Sequence, residues 1–132
     1  MKVINGENCS LGRVGSLAVK SALKGDDIAI VNCDKILITG NKKRNKEDFE
    51  IKRGRIGHSQ KGPKHSSDIE KFVKRSLRGM LPNHRFGRGR IAFKKIKCYK
   101  QFPSEFKDME VLKIDTINTI KYSKAKDIIK RW

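Results

Sequence analysis

Hydrophobic positions in the first forty residues repeat with two different periods. Lys2-Val3-Ile4-Asn5 is a short apolar run that predicts a strand. Ser10 stands where an N-cap belongs, and a helix is predicted from there to about Lys24, closed by Gly25. Its polar positions Arg13, Ser16, Lys20 and Lys24 form one narrow stripe. Leu11, Val14, Leu17, Ala18, Val19, Ala22 and Leu23 cover the rest. Apolar over most of its circumference, such a helix should pack on a sheet. Asp27-Ile28-Ala29-Ile30-Val31-Asn32 follows as a nearly continuous β-branched run, the pattern of a strand covered on both faces. Ile36-Leu37-Ile38-Thr39 predicts a further short strand, ending at Gly40-Asn41. Strand, helix and strand within about 30 residues make a βαβ unit with parallel pairing. Residues 1–40 are therefore expected to be scaffold.

After Asn41 the apolar periodicity fades. Lys42-Lys43-Arg44-Asn45-Lys46 opens a basic segment, with a short helix predicted over 47–52. Residues 53–65 hold Gly54, Gly57, Gly62 and Pro63 and no apolar repeat, which predicts a loop that orders on a ligand. Ser67-Asp68-Ile69-Glu70 has the spacing of a capping box. In the helix it opens, Ile69, Phe72, Val73, Leu77 and Met80 share one face, and Lys71, Lys74, Arg75 and Arg78 share another. Gly79 and Pro82 are expected to break that helix, and Asn83-His84 to turn the chain. A second short helix is predicted over 86–95, offering Ala92, Phe93 and Ile96 to the core. Lys97-Cys98-Tyr99 reads as a last strand and residues 102–106 as a turn. Residues 107–132 read as a weaker appendage with a helix from Ser123, and Tyr99 and Trp132 as packing residues.

Charge changes the picture. The formal net charge is +18 over 132 residues, and residues 41–100 alone hold 20 Lys/Arg against 5 Asp/Glu. The ends are electrically ordinary. Holding so many cations together opposes folding, and the usual compensation is a polyanion whose counterions are displaced. Nucleic acid is thus the expected partner. Apolar residues make up 36% and charged residues 35%, workable for one domain whose surface is partly a binding face. No apolar run approaches the roughly 20 residues that cross a bilayer, and the N-terminus lacks the features of a signal or transit peptide. Cys9, Cys33 and Cys98 include no close pair, so they read as reduced, inert thiols of a cytoplasmic protein. His58, His65 and His84 share no metal-ligand spacing. No cofactor, small-molecule substrate or membrane is expected.

Arg78-Gly79-Met80-Leu81-Pro82, followed by Arg85-Phe86-Gly87-Arg88-Gly89-Arg90 and Lys97-Cys98-Tyr99, resembles the ribosomal protein L-thirteen family of the large subunit. Leu11-Gly12-Arg13-Val14-Gly15-Ser16 is similar to that family's first-helix start, and Val31-Asn32-Cys33-Asp34-Lys35 with Ile38-Thr39-Gly40-Asn41 to its central strand and turn. Lys61-Gly62-Pro63 looks like the archaeal and eukaryotic branch, and the short tail after Phe106 favours an archaeal source. The resemblance covers residues 1–106. It implies a three-layer α/β/α fold with a parallel sheet of about four strands, carrying a basic loop and a helical extension. It also implies a structural, non-catalytic protein that binds large-subunit rRNA beside neighbouring large-subunit proteins.

Arginine suits that task because its planar fork holds two phosphate oxygens or stacks on an unpaired base. Arg75, Arg78, Arg88 and Arg90 are the leading contact candidates. Lys42, Lys43, Lys94 and Lys95 contribute field, each releasing close to one counterion. Arg44, Arg53, Arg55, Lys61, Lys64, Lys74 and Arg85 complete the expected surface, with Arg13 separate on its helix. Gly54, Gly57, Gly62, Gly87 and Gly89 would let backbone approach phosphate, and Met80, Leu81 and Phe93 are expected core anchors. Each cation could instead belong to an ordinary solvated face.

Two rival functions weaken on inspection. A nucleotide-binding enzyme would need G-x-G-x-x-G or a phosphate-loop Lys-Ser/Thr, and Gly6, Gly12 and Gly15 fit neither. A DNA-binding regulatory module would need a tighter turn than Gly79 to Arg85 provides.

Overall fold

Residues 1–116 and 119–129 are described by a computed structural model. In chain order the elements are β1 (Lys2–Asn5), α1 (Leu11–Leu23), β2 (Ile28–Val31), β3 (Leu37–Thr39), α2 (Lys42–Gly54), α3 (Ile69–Met80), α4 (Gly87–Lys95), β4 (Ile96–Cys98), β5 (Val111–Leu112), β6 (Tyr122–Lys124) and α5 (Ala125–Ile128). Trp132, expected as a packing residue, lies outside the described residues.

The βαβ expectation is met. β1 and β2 pair in parallel with Val3 beside Ala29 and Ile4 beside Ile30, and α1 crosses between them. Every residue of β2 is buried, as its unbroken apolar run requires. The Ser10 hydroxyl accepts from the Arg13 N–H to cap α1, and Gly25 follows with a positive φ of 105°. Leu23 departs from the expected apolar face and is 40% exposed.

β4 joins β2 and β5 joins β1, all parallel, giving the order β4-β2-β1-β5. The fold is thus mixed α/β on a four-stranded parallel sheet, consistent with the small three-layer arrangement. Ile4, Ile28 and Ile30 face one cluster with Val14, Ala18 and Ala22 of α1, Val73 and Leu77 of α3 and Ala92 of α4. Burying each of these Ile side chains contributes about 1.5–3 kcal/mol. Val3, Ala29 and Val31 face the other way, where the layer is thin and built on Phe106, Tyr99 and Val111. Tyr99 and Phe106 meet edge to face at 5.3 Å, so Tyr99 packs as expected.

Several boundaries differ from the sequence reading. α2 is one continuous 13-residue helix from Lys42, capped by the Asn41 side chain accepting from the Lys43 N–H, where only 47–52 was expected. The capping box does not form: Asp68 is the N-cap of α3, and the Glu70 carboxylate accepts from the Lys100 N–H at 2.8 Å. α3 runs through Gly79 to end at Met80, which is 41% exposed rather than a core anchor. The strand at residue 97 begins at Ile96 and is not the last. The segment expected as an appendage supplies β5, β6 and α5. β6 pairs antiparallel with β3, and Ala125, Ile128 and Ile129 are buried. β3 thus belongs to a second, two-stranded sheet rather than to the parallel one.

A candidate nucleic-acid interface

Docking α3 and α4 on the sheet fixes the direction of the basic side chains. The apolar face of α3 is held by Ile69, Val73 and Leu77, all buried. That turns Lys74, Arg75 and Arg78 to the margin, where each is half-buried, and leaves Lys71 exposed. α4 docks through Ala92 and through Gly89, where a β-carbon would lie 2.1 Å from the Pro82 carbonyl oxygen. Gly89 therefore serves close packing of the chain on itself. The same holds for Gly57 and Gly62, whose backbones meet across the 53–65 loop.

The candidate cations divide by position. Arg13, Lys42, Lys43, Arg44, Arg53, Arg55, Lys61, Lys64, Arg85, Arg88, Arg90 and Lys94 are exposed, and Lys95 is half-buried. The Arg75 Nη1 donates to the Lys64 carbonyl at 3.1 Å, tying the loop to α3. Lys74 Nζ stands 5.0 Å from the centre of the Phe93 ring, which also meets His84 edge to face at 6.3 Å. Lys95 Nζ donates to the Gly25 carbonyl at 2.7 Å and thus closes the end of α1, a structural role the sequence did not suggest. Ion pairs in the basic stretch are local or peripheral: Lys42 with Asp127 at 3.4 Å, Lys46 with Glu50 at 3.8 Å and Lys71 with Asp68 at 3.1 Å. Exposed pairs of this kind contribute little and leave the field positive.

Two histidines report that field. Burial first, and then the charges of Arg75, Lys52, Arg55 and Arg78, hold His65 below its ordinary pKa. Burial, followed by Arg78 and Arg85, lowers His84 in the same direction. Arg78 acts on both, so the end of α2, the 53–65 loop, α3 and the turn before α4 share one positive region.

Between α2 and α3 lies a cleft of about 460 Å³. Ile38, Phe49, Phe72 and Ile128 give it apolar walls, with Phe49 and Phe72 edge to face at 5.6 Å. Lys52, His65 and Arg75 line it as well, together with Asn45, Asp48, Ser76 and Gly79. Sequence reasoning did not single out Lys52, although the short helix expected over 47–52 already sets Phe49 and Lys52 a turn apart on one side; what it lacked was the packing of that side against α3. It also passed over Phe86 and Ile91, which are 65% and 60% exposed beside Arg88 and Arg90 in the sequence.

Two of the thiols, Cys9 and Cys33, are buried. A hydrogen bond with Cys98, and then burial, drive the Cys33 thiol far above its ordinary pKa, and burial raises Cys9. Among the described residues no group of three or more His, Cys, Asp or Glu could hold a metal ion, and no helix is long and apolar enough to cross a membrane.

Comparison with known proteins agrees with the pattern of residues. The model of the family described as Ribosomal protein L13 matches residues 1–105. The chain is 38% identical over 123 residues to a protein of Natronomonas pharaonis named "Large ribosomal subunit protein uL13", covering 91% of this chain and 82% of that one. A protein of the same name from Methanococcus maripaludis is 39% identical over 125 residues, covering 92% and 90%. Another from Methanopyrus kandleri is 42% identical over 97 residues, covering 74% and 60%. The matched span carries β1 to β4, the helices between them and every candidate cation, and on that ground the chain belongs to the ribosomal protein L13 family.

Proposed function

We propose that this protein is a structural, non-catalytic constituent of the large subunit of the cytoplasmic ribosome, where it binds large-subunit rRNA and supports its assembly. Family membership supports the ribosomal role, and the names of the archaeal relatives support the large subunit. The observation that carries the RNA-binding part is the concentration of exposed and half-buried Lys and Arg on α2, the 53–65 loop, α3 and α4.

Folded rRNA offers A-form grooves, phosphates and splayed loop bases, so shape and phosphate position count for more than sequence. Arg75 and Arg78 are held at the margin of α3 and need little reorganisation to meet phosphates. Arg88 and Arg90 stand free at the start of α4 and can fork onto two oxygens each. The lysines of α2, the loop and α4 supply counterion release, and neighbouring large-subunit proteins are the expected protein partners.

Gradient sedimentation of a lysate, probed for this protein before and after a high-salt wash, tests the reading. The expected result is co-migration with the large subunit that survives the wash. Absence from the subunit, with preference for duplex DNA over folded rRNA, would overturn it in favour of a regulatory DNA-binding role.

A further inference from the structure

We propose that the cleft between α2 and α3 is a receptor for a single unpaired nucleotide of the rRNA, its base against the edge-to-face pair of Phe49 and Phe72 and its phosphate at Lys52 and Arg75. The inference rests on the RNA-binding reading above and names one subsite within it. Four observations converge. The cleft's volume of about 460 Å³ lies within the roughly 300–1,000 Å³ of small-ligand sites, at the small end. Its walls are aromatic and aliphatic, as an unstacked base requires. Its cations come from two helices, Lys52 from α2 and Arg75 from α3, with the His65 ring beside them from the loop, and Arg75 is already fixed by its bond to the Lys64 carbonyl. An apolar interior with a basic edge is complementary to a nucleotide, which carries a flat ring and one negative charge. An aliphatic or aromatic protein side chain would use the walls and leave the cations unanswered.

Polar groups in the cleft suggest which base. The Asn45 amide N–H donates to the Thr39 carbonyl at 3.0 Å, and the Ser76 hydroxyl to the Phe72 carbonyl at 3.2 Å. Their oxygens remain to accept. Asp48 adds a carboxylate that can only accept while ionised. With Lys52 and Arg75 assigned to the phosphate, the oxygens of Asn45, Asp48 and Ser76 favour a base rich in N–H donors on its pairing edge. Guanine presents two adjacent ones that match the two oxygens of a carboxylate.

Gly79 provides the test. It lies in α3, lines the cleft, and a β-carbon built there meets nothing within 4 Å. Gly79→Leu should therefore fill the cleft without disturbing the fold, and thermal melting checks that it folds. Binding of the full chain and of G79L to large-subunit rRNA is measured across a salt series, and GMP, AMP, CMP and UMP are titrated against the Phe72 and His65 ring signals by NMR. The expected result is a loss of affinity on the order of tenfold in G79L with the salt slope almost unchanged, because base stacking is lost rather than most phosphate contacts. GMP should shift the ring signals most, and G79L should abolish the shift. If the wild-type chain binds rRNA and G79L binds equally well, with no nucleotide shifting the rings, the cleft proposal falls while RNA binding stands. If G79L binds naked rRNA normally yet is lost from assembled subunits, the cleft belongs to a neighbouring protein and the proposal is overturned. Failure of the wild-type chain to bind rRNA at all would strike the broader reading instead.

Discussion

His65 shows how one side chain reads its surroundings. Its folded-state pKa lies below the ordinary value of about 6.5, first through burial and then through Arg75, Lys52, Arg55 and Arg78. The folded protein therefore binds this proton less readily than the unfolded chain does. Above the unfolded value His65 does not affect stability; as pH falls from about 6.5 toward the folded value, stability is lost, and the loss is complete below that value. Phosphates placed among the four cations would reverse the charge contribution. An NMR titration of the His65 ring should thus give a midpoint below 6.5 for the free protein and a higher one with an rRNA fragment bound. A midpoint that stays put or drops on binding would show that no phosphate reaches this region. None of this was legible in the sequence, where His65 stands in a glycine-containing loop with no periodicity to place it.

Helices and strands differed in how openly the chain announced them. α1 and β2 were readable because their signals are local: an N-cap, a closing glycine, an unbroken β-branched run. α2 was half hidden, since it buries only Phe49 and its first turns are Lys, Arg and Asn. Tertiary contact through that one ring, with a good cap at Asn41, outweighs the missing amphipathic pattern. β3 was read as a strand, but its partner β6 lies more than 80 residues away, with Thr39 beside Tyr122. The cleft has the same origin: its walls come from α2, α3, β3 and α5, so no single window contains it. The basic rail of α3 was readable because helical spacing alone assembles it. At this scale the charge argument gives a sharp expectation for α4. Arg88→Ala with Arg90→Ala removes two exposed cations, so the slope of log affinity against log salt should fall by about 2 while the melting temperature holds. A melting temperature that collapses would make these residues structural.

For the whole molecule, the tail after Phe106 is the strongest correction to the sequence reading. β5 completes one edge of the parallel sheet, and Ala125, Ile128 and Ile129 enter the main core. Truncation after Phe106 should therefore abolish cooperative unfolding in a thermal or urea melt, although the matched family span ends at residue 105. A truncated chain that still melts sharply would return these residues to the status of an appendage. The sheet order carries one more consequence, which concerns how the protein is made. β1 sits between β2 and β5, and its second partner begins only at Val111. At about 5–20 residues per second, roughly 5–20 seconds separate synthesis of the first strand from that of its last neighbour. Throughout that interval one edge of β1 is an open template for any other extended chain. Among nascent copies on one polysome, the same parallel pairing that finishes the fold is the one most exposed to mispairing.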